Sequence, residues 1–248
     1  MFRSSPTKHR AKAAFAGLLA VLCYAPLSQA SLTLSTTRVV FDSDKRSVSL
    51  IIANPSDKVF AVQSWVNTSA DDTTTPVPFV TSPLLFSISP GKEQHVQING
   101  LPNALPTDRE TLFYFNAQEI PQAEPGQSNV LNIAIRTRIK FFYRPAALKQ
   151  NPSERLQDLQ WSLQTIDGKP NLILNNPTPF HYTFQRLEVS ANGRSKSVAN
   201  PLMAAPMSRE VYALDGLVAG AAAQVSFTTI NDYGGITPPI TLPLGQDR

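Results

Sequence analysis

Short runs rich in β-branched and aromatic residues recur along this chain, each closed by a turn signal, and nowhere does the apolar period of a long helix persist. The runs are Ser47 to Ala53, Val59 to Val66, Thr111 to Asn116, Leu172 to Leu174, Tyr182 to Val189 and Gln224 to Ile230. Asn54-Pro55, Asp167-Gly168, Asn192-Gly193 and scattered prolines lie between them. Such punctuation restricts the chain to an all-β architecture. Asp167-Gly168 and Asn192-Gly193 suit two-residue hairpin turns, because both central positions tolerate positive φ. Trp65, in one of the early strands, is expected to fill the core, as a tryptophan often does in an immunoglobulin-like sandwich.

The first thirty residues stand apart. Arg3, Lys8, Arg10 and Lys12 precede an apolar run from Ala13 to Tyr24, and Ser28, Gln29 and Ala30 follow. This is the pattern of a secretory signal peptide cleaved after Ala30, and the run is shorter than the roughly 20 residues a spanning helix needs. The four basic residues lost with it leave 18 basic against 18 acidic residues, so bulk charge offers nothing to nucleic acid. Cys23 is the one cysteine and lies within the signal. Leu22 before it is not the small residue that a lipoprotein signal wants. The exported chain is therefore expected to hold no disulfide, although export implies an oxidising compartment.

Residues 31 to 248 suffice for two sandwiches of roughly 100 residues each. The strand pattern breaks at Pro145 to Pro152 and resumes at Leu159, which predicts a first domain over 31–147 and a second over 153–248. The fold expected is two immunoglobulin-like β-sandwiches in tandem.

The segment Asn129 to Pro145, NVLNIAIRTRIKFFYRP, is long for a strand. Its 16 residues before the proline would extend about 50 Å. Leu131, Ile133 and Ile135 share one face. Periodicity alone leaves two readings: the row fills the domain's own core, or it is an exposed edge that a partner covers.

RTRIKFFYRP, with TDRETLFYFNAQEIP at 107–121, TRVVFD at 37–42, IIANPSDKVFAVQSWV at 51–66 and INDYGG at 230–235, resembles the signature set of PapD-like periplasmic pilus chaperones. These motifs span nearly all of the chain after the signal. The resemblance implies a chaperone that captures pilus subunits by strand addition, a mode of recognition known for this system, and passes them to an outer-membrane usher. It further implies that Arg38 and Lys140 grip the subunit's terminal carboxylate and that Leu131, Ile133 and Ile135 form the donor row. Glu110, Arg144 and Asp232 are then an ion cluster joining the domains. Lys140 has the opposite parity from the row, so a bulge or sharp twist is expected between residues 136 and 139. A self-capping dimer is a further partner the resemblance allows.

Three departures from the family pattern bear on subunit preference. Ser82-Pro83 stands in place of a Pro-Pro pair, Gln97 in place of an arginine, and the second domain lacks the cysteine pair of some members. The short connection Gln122 to Ser128 resembles the branch associated with rod-like pili.

No GxSxG elbow, phosphate-binding glycine loop or metal-spaced His/Cys cluster occurs, so no catalytic residue, metal or cofactor is expected. His95 and His181 read as ordinary loop or strand residues, and Asp71-Asp72 as a solvated turn among threonines. The competing function is a secreted tandem-sandwich adhesion or carbohydrate-binding module. That module would place its binding residues on distal loops and would not need Arg38 and Lys140 together.

Overall fold

The computed structural model describes residues 32–72, 74–120, 133–191, 193–214 and 223–246. The expected signal segment with Cys23, the connection Gln122 to Ser128 and Leu131 lie outside these residues.

Among the described residues nine strands build the first sandwich: β1 (Thr33–Leu34), β2 (Arg38–Asp42), β3 (Ser47–Ala53), β4 (Phe60–Asn67), β5 (Phe79–Ser82), β6 (Leu85–Ile88), β7 (Glu93–Gly100), β8 (Thr111–Ile120) and β9 (Arg136–Arg144). One sheet has the order β1-β3-β7-β5 and the other β2-β9-β8-β4-β6. Alternation along each strand decides what faces in. Leu50 and Ile52, Val96 and Ile98, and Phe113, Phe115 and Phe141 point between the sheets and are buried. Phe79 meets Phe141 edge-on at 4.6 Å between centroids, and Phe41 packs against both.

The second sandwich contains β10 (Gln160–Ile166), β11 (Lys169–Asn176), β12 (Phe184–Ala191), β13 (Arg194–Ser197), β14 (Ser208–Ala213), β15 (Gln224–Thr229), β16 (Ile240–Pro243) and β17 (Gly245–Gln246). Its sheets run β14-β11-β10-β17 and β13-β12-β15-β16. A short 3-10 turn, Pro152–Asp158, leads in from the first domain, started by the Asn151 side chain accepting from Ser153 N. Asp167 and Gly168 have φ of 51° and 73°, and Ile166 pairs with Lys169 across them, so the two-residue hairpin expected there forms.

Trp161 is the tryptophan that fills a core, 5.4 Å from Phe227 and 5.6 Å from Phe184. Trp65 does not, contrary to expectation. On β4, Val62, Ser64 and Val66 face inward, and Trp65 falls out of phase with them, half-buried on the outer face opposite Asn116. A one-residue phase difference moves a side chain to the other side of a sheet.

An Asn-Pro turn recurs in both domains with the same wiring. Asn54 Nδ2 donates to the carbonyls of Lys58 and Ile88 while its Oδ1 accepts from Ser56. Asn176 Nδ2 donates to Phe180 and Ala205 while its Oδ1 accepts from Thr178. Each buried amide thereby satisfies loop carbonyls that would otherwise be orphaned. The second turn has a further consequence: it delivers Pro179 to His181 against the first domain, where Glu110 N donates to the Pro179 carbonyl at 2.9 Å.

Replacing Trp161 with Ala should cost about 3 to 5 kcal/mol, the usual loss for a core aromatic. Trp65→Ala should cost less than half of that. Urea unfolding of the two variants checks the ranking, and equal losses would contradict the assignment of Trp161 alone to a core.

Candidate functional site

The cleft between the sandwiches is organised by one pairing. β2 runs parallel to β9, and their register sets Arg38 directly beside Lys140. Neighbouring strands lie about 4.8 Å apart, so both cations leave the same face of the sheet side by side. The second domain holds each of them. Arg38 NH1 donates to the Ile230 carbonyl at 2.8 Å, and Lys140 Nζ donates to Thr183 Oγ1 at 2.8 Å.

Arg38 is only 7% exposed, and its buried Nε has no hydrogen-bond partner. Burial pushes the Arg38 guanidinium below its usual range, opposed by the charges of Asp232 and Glu110. Burial, then the charge of Arg38, lowers Lys140 to about 8. Among the described residues neither cation forms an ion pair. Two under-hydrated cations with donors to spare are suited to a carboxylate, which accepts charge-assisted bonds from both at once.

Four residues beyond Lys140 on β9, Arg144 bridges the domain interface. Its Nε and NH2 reach Glu110 Oε1 at 2.8 and 2.7 Å, and NH1 and NH2 meet the two oxygens of Asp232 at 2.7 and 2.9 Å. Glu110 precedes β8 in the first domain and Asp232 follows β15 in the second, so one guanidinium bridges the domains. Burial works against the Arg144 charge, but the bonds and charges of Asp232 and Glu110 outweigh it and raise the group above its usual range. Planar donors on both sides suit arginine and not lysine.

His181 also belongs to this interface, a role its sequence setting did not signal. Its backbone N donates to Glu110 Oε2 at 2.8 Å, its ring Nδ1 lies 3.1 Å from the same oxygen, and the ring packs 5.4 Å from Phe142. Thr183 and the Ile230 carbonyl were likewise silent, since only the docking of the domains gives them partners. The INDYGG turn approaches closely enough that a Cβ on Gly234, at φ +83°, would lie 2.5 Å from Thr37 Oγ1.

The aliphatic row is placed at the other end of β9. Ile133 is 67% and Ile135 45% exposed, so neither enters a core. The strand itself starts at Arg136, later than the expected run from Asn129, although the Ile135 carbonyl still accepts from Glu119 N on β8. β8 pairs with β9 without interruption from Arg136 to Tyr143. No bulge lies between 136 and 139, contrary to expectation. Regular alternation sends Ile139, Phe141 and Tyr143 toward the core and Lys140 toward the cleft, so the opposite parity of Lys140 needs no distortion. On its other edge β9 pairs with β2 only from Lys140 to Arg144. Among the described residues no strand covers Arg136 to Ile139 on that edge.

The sequence pattern described as the pili and flagellar-assembly chaperone, PapD N-terminal domain, matches residues 31–149, and that of the pili assembly chaperone PapD C-terminal domain matches residues 154–241. The chain belongs to the PapD family of pilus-assembly chaperones. A PapD-family relative from Bordetella pertussis, the chaperone protein FimB/FhaD, is 37% identical over 234 residues, covering 90% of this chain and 91% of its own. The probable fimbrial chaperone YadV of Escherichia coli K12 is 36% identical over 239 residues, covering 92% and 95%. The YadV crystal structure superimposes with a TM-score of 0.75, covering 87% of this chain and all of that one. The Salmonella enterica SafA pilin in complex with the SafB chaperone gives a TM-score of 0.73 at 27% identity, over 86% and 96%. These PapD-family likenesses do not favour the adhesion or carbohydrate-binding alternative.

Replacing Arg144 with Ala would leave Glu110 buried without its counter-charge. Removing one partner of a buried pair costs about 3 to 5 kcal/mol. The variant should unfold at lower urea and, by small-angle scattering, show a wider distribution of inter-domain distances; a wild-type profile in both would make the cluster incidental.

Proposed function

We propose that this chaperone works in the periplasm without catalysing a reaction: it captures a pilus subunit on the exposed edge of β9 and releases it to an outer-membrane usher. The observation that carries this reading is the continuity of three features along β9 and the residues that lead into it. Ile133 and Ile135 stand exposed. The edge that follows them is free to Ile139 among the described residues, and it ends at the paired cations Arg38 and Lys140. Leu131, outside the described residues, extends the row in this proposal.

A subunit strand laid along that edge would gain ladder hydrogen bonds from the β9 backbone, and its side chains would meet the isoleucines. Full burial of each aliphatic contributes about 1.5 to 3 kcal/mol before ordering costs. The terminal carboxylate, seated between Arg38 and Lys140, would fix the register, because a slip of one residue separates the carboxylate from both donors. The SafA–SafB complex supports a pilin as the class of partner. Membership in the chaperone/usher class supports the periplasm, and among the described residues no helix is long and apolar enough to cross a membrane.

Ile133→Asp should abolish subunit capture in a pull-down while leaving the circular dichroism of the free chaperone unchanged, since the side chain lies outside both cores. A melted variant would return the residue to a core and remove the support for strand donation.

Carboxylate binding needs the protonated form of Lys140. With its pKa lowered from 10.5 to about 8, the free chaperone holds that proton below about pH 8 and loses it above. Affinity for the subunit should therefore be level up to neutral pH and fall as pH rises through 8, where binding must also take up a proton. Lys140→Met should bind roughly thirty-fold more weakly or worse, the loss of about 2 kcal/mol, and the fall near pH 8 should vanish. Titration calorimetry at several pH values reads both, and an unchanged fall in the variant would assign the titration to another group.

A further inference from the structure

Asp71 lies in the turn after β4, has the left-handed φ of 60° unusual for a residue with a side chain, and follows a turn in which its N donates to the Thr68 carbonyl. Non-glycine residues persist there when their surroundings hold them, and such strain gathers where a side chain must be aimed. The Asp71 carboxylate is aimed across the outer face of the five-stranded sheet. Its Oδ2 accepts from Arg136 NH2 at 2.6 Å, its Oδ1 accepts from Asn67 Nδ2 at 2.9 Å, and Arg138 Nε stands 3.5 Å from Oδ1. Bonds from Arg136 and Asn67 hold the carboxylate below its usual range.

The network runs on through β8. Asn116 Nδ2 donates to Asn67 Oδ1 at 2.9 Å, and the Arg138 guanidinium sits 3.8 Å over the Tyr114 ring while NH2 donates to the Thr68 carbonyl. Tyr114 is the cross-strand neighbour of Lys140, and Asn116 of Arg138. Asp72, by contrast, caps its own turn through Thr74 and Thr75. The two adjacent carboxylates therefore do different work: one closes the loop and the other reaches β9.

Arg136 and Arg138 are the residues where β9 emerges beyond β2 and, among the described residues, stands with one edge unpaired. A strand held on one side only frays unless side chains fix it. We propose that Asp71 is a positioning residue, a strut that clamps Arg136 and Arg138 so that the free edge of β9 and the isoleucines before it are held ready for an incoming subunit strand. The inference rests on the strand-donation reading above. Preorganisation of this kind speeds capture by removing the ordering cost at the moment of binding.

Asp71→Gly separates the strut from stability, because glycine relieves the positive φ while deleting the carboxylate. Asp71→Asn keeps a residue that tolerates that conformation and removes the charge and one acceptor oxygen. Hydrogen exchange of the free, full-length chaperone should show amides 133–138 exchanging at least ten-fold faster in Asp71→Gly, with exchange in the second domain unchanged, and Asp71→Asn should fall between. Subunit association should slow by several-fold in the same order, and Glu188→Gln, on an exposed pair of the second domain, should match wild type in both. If Asp71→Gly fails to fold, the Asp71→Asn comparison decides on the same two readouts. Wild-type exchange at 133–138 overturns the strut. Faster exchange with an unchanged association rate also overturns it as a device for capture, while Ile133→Asp still blocking capture in that experiment leaves strand donation standing. If Ile133→Asp captures normally, strand donation itself has failed.

Discussion

Everything in the cleft depends on one guanidinium shared by two domains. Arg144 is buried with Glu110 on one side and Asp232 on the other, so a single charged group ties the two domains together. Burying charges is costly, and the attraction repays that cost only when geometry and hydrogen bonding are complete. Here both carboxylates accept bonds from the arginine and Glu110 takes two further contacts from His181, so the cluster specifies one docking of the domains better than an apolar contact would. Apolar surfaces slide, whereas a bridged guanidinium has a single fitted geometry.

That docking is what completes the cation pair. The register of β2 on β9 brings Arg38 and Lys140 together within the first domain, but their partners Ile230 and Thr183 come from the second. The cluster at Arg144 and the pair at Lys140 lie four residues apart on the same strand and face. Any change in the angle between domains would therefore move the acceptors that aim the cations. β9 and the residues leading into it serve three ends in sequence: exposed isoleucines, an edge uncovered among the described residues, and a buried charge cluster.

The strands themselves are largely legible because turn chemistry and period-two alternation are local properties; Ser47–Ala53 and the Asp167-Gly168 hairpin form where they are expected. What escaped was phase and docking. The residue type of Trp65 favours a core, yet its neighbours Val62, Ser64 and Val66 set the phase of β4 and turn it outward. Parity points to a bulge only if isoleucines and lysine share a target face; the cleft lies on the face opposite to that of Ile139 and Phe141, which makes a regular strand sufficient. His181 and Thr183 acquired their meaning only from a second domain that no local pattern positions. The charged cluster could be located through whole motifs resembling a family, and spacing alone would not have joined residues 34 and 88 positions apart.

The central claim is that a terminal carboxylate is what the paired cations receive. A peptide carrying the C-terminal strand of the captured subunit, made both as the free acid and as the amide, tests it without altering the chaperone's fold. Measured by calorimetry near pH 7, the acid should bind wild-type chaperone roughly thirty-fold or more tightly than the amide, the equivalent of about 2 kcal/mol, and the two should bind Arg38→Ala with nearly equal, weak affinity. Equal affinity of acid and amide for the wild-type protein would contradict the account, because the cleft would then be recognising the strand without its carboxylate.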